Sequence, residues 1–113
     1  MHTVATEESG RTRILLAAGE VDAFAAPDLV SAFLEIHGAT HVLVDLTRVS
    51  FMDSTALGAI VRSVRELGED GAEVRVVLPS GSARRIFEIT TLDRVLPVAP
   101  SREEGLAALE AAD

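Results

Sequence analysis

The chain has 113 residues, 48% of them apolar and 25% charged, with a formal net charge of −8 and no cysteine. That length predicts one domain, residues 1–113, whose core must come from Val, Leu, Ile and Ala, because the aromatics are four Phe with no Trp or Tyr. The missing cysteines exclude disulfides, thiolate metal sites and thiol redox sensing, and the acidic balance argues against nucleic-acid partners and anionic membrane surfaces, which require cations.

The opening, Met1 to Glu7, has no basic-then-apolar signal pattern, and no apolar run approaches the roughly 18 residues of a membrane span, so the expectation is a cytoplasmic protein. Residues 2–6 read as a short strand and Glu8-Ser9-Gly10 as a turn. Thr12 to Ala18 is a second strand, broken by Gly19. Ala26 to His37 reads as a helix with Pro27 in its first turn, Val30, Phe33, Leu34 and His37 on its apolar face, and Gly38 as its stop.

His41 to Leu46 is a nearly continuous apolar run, expected to be a central strand covered on both faces. Ser54 to Leu67 is the clearest helix, with Leu57, Ile60, Val61, Val64 and Leu67 in one stripe and Gly68 as its end. Glu73 to Leu78 is a strand stopped by Pro79, and Ser82 caps a short helix holding Ile86, Phe87 and Ile89. Val95-Leu96-Pro97-Val98 is a final strand, placed at an edge by Pro97. Ser101 with Glu104 three residues on is a capping-box pattern for a last helix through Leu106 and Leu109. The order β-β-α-β-α-β-α-β-α predicts an α/β domain: a mostly parallel sheet of about five strands, its N-terminal strand at an edge, with about four helices packed on it.

One segment carries more information than the rest. A strand ends near Leu46, a short connection follows, and a helix begins at Ser54, so Asp53, Ser54 and Thr55 fall at the C-terminal edge of a parallel sheet, where α/β folds place their sites. Capping accounts for Asp53, since Asp, Ser and Thr all satisfy orphan helix amides. One cap does not need three such residues. The extra hydroxyls at a helix start suit a phosphate, which the helix dipole favours and Asp53 opposes.

Phe51-Met52-Asp53-Ser54-Thr55-Ala56-Leu57-Gly58 resembles the signature of the STAS domain family, specifically its bacterial anti-sigma factor antagonists, in which an Asp-Ser-(Ser/Thr)-Gly-Leu-Gly run follows a buried strand. Ala18-Gly19-Glu20-Val21-Asp22, Val42 to Leu46, and Ser82 to Phe87 resemble further family segments in the same order. Ala56 departs from the pattern, standing where the family usually has Gly.

The resemblance implies partner switching. The unphosphorylated antagonist binds an anti-sigma factor that is also a serine-protein kinase and so frees a sigma factor. The kinase then phosphorylates the antagonist and the pair separates, and a phosphatase resets it. Carried over, the phosphoacceptor is Ser54, with Thr55 as the lesser candidate. Asp22, Asp53, Ser54, Thr55, Ala56 and Gly58 form the expected partner-binding set. The chain itself has no phosphate-binding loop of the Gly-x-x-x-x-Gly-Lys-(Ser/Thr) type, so nucleotide chemistry belongs to the kinase and no cofactor is expected. An esterase-like role for Ser54 lacks the Gly-x-Ser-x-Gly elbow, so no enzyme activity is expected. The alternative reading is a STAS subunit serving a transporter, a lipid-transport complex or a stressosome-like scaffold as a binding module. Glu20, Arg84 and Arg85 read mainly as solvated, Ser80-Gly81-Ser82 reads as a turn and cap, and His2, His37 and His41 lack metal-ligand spacing.

Overall fold

The computed structural model describes residues 1–113. Strand β1 (His2–Ser9) turns at Gly10 and Arg11 into β2 (Thr12–Val21), with which it pairs antiparallel from His2↔Gly19 to Ser9↔Thr12. Gly19 does not end β2. It has φ +82°, and a Cβ there would lie 2.4 Å from the Met1 carbonyl oxygen, so glycine lets the strand kink past the N-terminus and run on to Val21. Glu20, which lies beyond the expected strand end at Gly19, is therefore a strand residue.

Helix α1 (Ala26–Glu35) buries Leu29, Ala32 and Phe33, with Ile36 buried just beyond its end. This corrects the predicted face. Val30, Leu34 and His37 are exposed, although Phe33 is buried as expected. Two stripes with i, i+3, i+4, i+7 spacing overlap here, and packing against the sheet selects the one built on Leu29.

Strand β3 (His41–Met52) is twice the predicted length. It runs parallel to β2 through irregularities near Ala18 and Glu20, which carry it to Met52 with Val49 and Met52 buried. The expected loose connection before Ser54 is thus strand. Helix α2 (Ser54–Glu69) buries Leu57, Ile60, Val64 and Leu67, leaves Val61 half-buried and passes through Gly68 to stop at Asp70 and Gly71. Burying each large apolar side chain is worth roughly 1.5–3 kcal/mol. An N-cap is worth about 1 kcal/mol. The core therefore makes the helix, and the cap only sets where it starts.

Strand β4 (Glu73–Val77) pairs parallel with the first half of β3, from His41↔Glu73 to Asp45↔Val77. Helix α3 (Ser82–Ile89) has Gly81, not Ser82, at its N-cap. Gly81 has φ 64°, a region glycine enters freely, so Ser82 becomes the first helical residue. Val95, predicted as strand, instead ends a one-turn helix α4 (Leu92–Val95), leaving β5 only Val98–Ala99 beside β4. Helix α5 (Arg102–Ala111) starts as expected, with the Ser101 side chain accepting from the Glu104 amide at 3.1 Å.

The sheet order is β1-β2-β3-β4-β5, antiparallel only at β1–β2. Helices α1, α2 and α3 cover one face through the main core, which includes Leu15, Val42, Val44, Ile60 and Phe87. Helix α5 alone covers the other, where Leu109 meets Ile14, Leu43, Val77 and Ala99. Gly105 permits this close approach, because a Cβ would fall 2.7 Å from Leu43 Cδ1. Arg102, at the start of α5, bonds the buried Asp45 at 3.3 Å and Glu7 at 3.0 Å. The Glu7 hydrogen bond is the main reason its guanidinium holds its proton more tightly than usual.

Candidate functional site

The end of β3 delivers Asp53 to α2 in an extended conformation, φ −101° and ψ 175°, the geometry of a helix N-cap. Its carboxylate has two tasks. Oδ1 accepts from the Ala56 amide at 2.9 Å, which caps α2. Oδ2 accepts from the Ala23 amide at 2.9 Å, which ties the helix start to the loop between β2 and α1. That loop is itself braced by Asp22, whose Oδ1 accepts from the amides of Phe24 at 3.0 Å and Ala25 at 3.3 Å. Two aspartates thus hold the β2–α1 loop and the start of α2 as one surface.

Because Asp53 supplies the cap, the hydroxyls of Ser54 and Thr55 are not needed for it. Both residues are exposed and occupy the first two helical positions. Amides in that turn lack intrahelical acceptors and lie at the positive end of the helix dipole. Ala56 is fully buried, with its methyl group in the main core. Gly58 is half-buried one turn after Ser54, and a Cβ there would meet only Arg62 Nη2, at 4.0 Å. The fold therefore does not require glycine at 58, although glycine in a helix interior costs about 1 kcal/mol relative to alanine.

Of the residues singled out in the sequence, the structure brings together Asp22, Asp53, Ser54, Thr55 and Gly58 at the surface and places Ala56 beneath them. Arg84 lies 3.9 Å from Glu88 on α3 and Arg85 is exposed. No group of three or more His, Asp or Glu side chains is placed to hold a metal ion. Two exposed aromatic residues stand outside the expected partner-binding set. Phe24 is 88% exposed in the braced loop, and Phe51 is 51% exposed at the end of β3. Phe51 also lines a hollow of about 220 Å³ with Ser50, Met52, Ser82, Ala83 and Ile86. The signal for Phe24 was its place directly after Val21-Asp22-Ala23, in a chain with only four aromatics. The largest groove, about 360 Å³, lies elsewhere, between the second half of α2 and the start of β4.

This geometry has close counterparts. The model of the STAS domain matches residues 3–105. The chain belongs to the STAS domain family. Among curated STAS relatives, it is 37% identical over 87 residues to the anti-sigma-B factor antagonist of Listeria monocytogenes, covering 74% of this chain and 75% of that one. Its STAS fold superposes on an anti-sigma factor antagonist from Mycobacterium paratuberculosis with a TM-score of 0.87 and 26% identity, over 97% and 95% of the two chains. It also superposes on the phosphorylated form of the Bacillus cell fate determinant SpoIIAA, with a TM-score of 0.71 and 25% identity over 94% and 98%. No helix of this STAS domain is long and apolar enough to cross a membrane.

Proposed function

We propose that this STAS domain is an anti-sigma factor antagonist of the cytoplasm that acts by binding and has no catalytic activity of its own. Its unphosphorylated form binds an anti-sigma factor that is also a serine kinase, and so frees a sigma factor. The observation that carries this reading is the position of Ser54: an exposed hydroxyl, not consumed by capping, at the first position of α2 on a surface braced by Asp53 and Asp22. The relatives' names, and the phosphorylated state of the Bacillus neighbour, support it.

The switch follows from local physics. The kinase's ATP supplies a phosphoryl group to Ser54 Oγ, ADP leaves, and the hydroxyl proton passes to a base on the kinase. The product carries about −1.5 to −2 of added charge and three acceptor oxygens. At the first turn of α2 the dipole favours that charge by about 0.3–1 kcal/mol, so the fold tolerates it. A docked partner does not. The phosphate fills the space of a close contact beside Asp53, and burying it there incurs desolvation and like-charge repulsion. A phosphatase restores the binding form by hydrolysis.

Incubation with the cognate kinase and ATP, read by intact-mass spectrometry, tests the assignment. Wild type should gain one phosphate, while Ser54→Ala gains none and still binds the kinase. Phosphate on Ser54→Ala, for instance at Thr55, overturns Ser54 as the acceptor. Capture of membrane permease subunits in place of a kinase-like anti-sigma factor overturns the antagonist reading itself.

A further inference from the structure

The two edges of the sheet are built differently. β5 has two residues and follows Pro97 directly, which leaves little to pair with. β1 has eight residues, His2-Thr3-Val4-Ala5-Thr6-Glu7-Glu8-Ser9, with no proline or lysine, and pairs with β2 in unbroken register. It is the last strand of the sheet, and α1 lies over its face, as the His2 to Asp28 contact at 2.7 Å shows. A long, regular edge of this kind is a template for another strand.

The backbone states which groups are free. The Glu20 amide donates to the Met1 carbonyl at 3.0 Å, one step beyond the His2↔Gly19 pair. In an antiparallel ladder, hydrogen-bonded pairs alternate with non-bonded ones. Odd-numbered residues of β1 therefore direct their amides and carbonyls at β2. Those of His2, Val4, Thr6 and Glu8 point outward.

We infer that β1 pairs antiparallel with β1 of a second copy of this chain, joining two five-stranded sheets into one. A two-fold pairing must match outward residues with outward residues. The register His2↔Glu8, Val4↔Thr6 uses all of them, and it sets the acidic end of each strand against the histidine end of the other. Parallel self-pairing would instead stack Glu7 and Glu8 of both copies side by side, which is unfavourable. In the favoured register Ala5 faces Ala5 across the axis as a non-hydrogen-bonded pair, where Cα atoms approach to about 4.5 Å. Ala5 and Thr3, both exposed, are small enough for that approach. The dimer carries two copies of the Ser54 surface on one particle.

Sedimentation of the full chain from micromolar to millimolar concentration tests this. Wild type should dimerise reversibly. Ala5→Lys and Ala5→Glu, at an exposed site, should each fold as judged by circular dichroism yet lose the dimer, and an equimolar mixture of the two should regain it as a heterodimer. Hydrogen exchange on wild type gives a second reading: the amides of His2, Val4, Thr6 and Glu8 gain protection as concentration rises. A wild type that stays monomeric throughout, a dimer untouched by Ala5→Lys, or variants that fail to associate when mixed would each overturn the pairing.

Discussion

Asp53 joins the fold to the candidate switch, because its two carboxylate oxygens serve two different elements. Asp53→Ala removes an N-cap and leaves the Ala23 and Ala56 amides without their acceptor. Loss of a cap costs about 0.5–2 kcal/mol, and chemical denaturation should show a fall in that range. Partner affinity should fall by more than the stability loss explains, because the β2–α1 loop loses its tie to α2; equal binding by a folded Asp53→Ala would refute this. Phe24 gives the opposite pattern. Its ring is 88% exposed, so Phe24→Ala should change stability by no more than about 0.5 kcal/mol. Its backbone is already held by Asp22, and a rigid exposed aromatic is the usual anchor of an interface, so binding to the anti-sigma factor, measured by calorimetry, should weaken at least tenfold. Ser54 and Asp53 were both legible in the sequence as residues of a helix start. Asp53 was read as the cap, and its extended backbone and its bond from the Ala56 amide bear that out. Ala56 was legible as a departure from a pattern and as one of the expected partner-binding residues; that its methyl group faces the core needed the helix phase.

At the scale of elements, α2 was read nearly to its limits because one strong apolar stripe leaves a single way to bury it. α1 was misread because it carries two stripes, and only the sheet beneath distinguishes them. β3 was read too short: Thr47, Arg48 and Ser50 are polar and exposed, so its second half has no continuous apolar run, and pairing with β2 extends it. Gly58 supplies a test that belongs to the helix. Gly58→Ala should stabilise the domain by up to about 1 kcal/mol, since nothing in the fold opposes a methyl group there. The same substitution should weaken partner binding, because it raises the surface one turn from Ser54. Thermal unfolding and a binding titration on the same protein check both halves, and a variant with stronger fold and unchanged binding would remove Gly58 from the interface.

For the whole molecule, one ion-pair cluster ties the start of the lone helix of the second face to the sheet. Arg102 reaches from α5 to Asp45, whose side chain is 3% exposed, and to Glu7 on the edge strand. Arg102→Ala leaves Asp45 buried with only the Thr47 amide and hydroxyl as donors. A buried polar group deprived of its charged partner costs about 1–3 kcal/mol, and half-exposed Arg102 places the expected loss toward the lower end. Hydrogen exchange should localise the loosening to α5, leaving α2 and the Ser54 surface protected; uniform loosening would show that α5 is not a separate unit.

The sequence by itself determined the alternation of strands and helices and the segment that holds the candidate switch, because hydrophobic period, helix stops and a local motif are properties of neighbouring residues. Only the tertiary structure decided which stripe of α1 is buried, how far β3 runs, and that α5 alone guards one face. These depend on which surfaces meet across the sheet, and no stretch of chain records its distant partners.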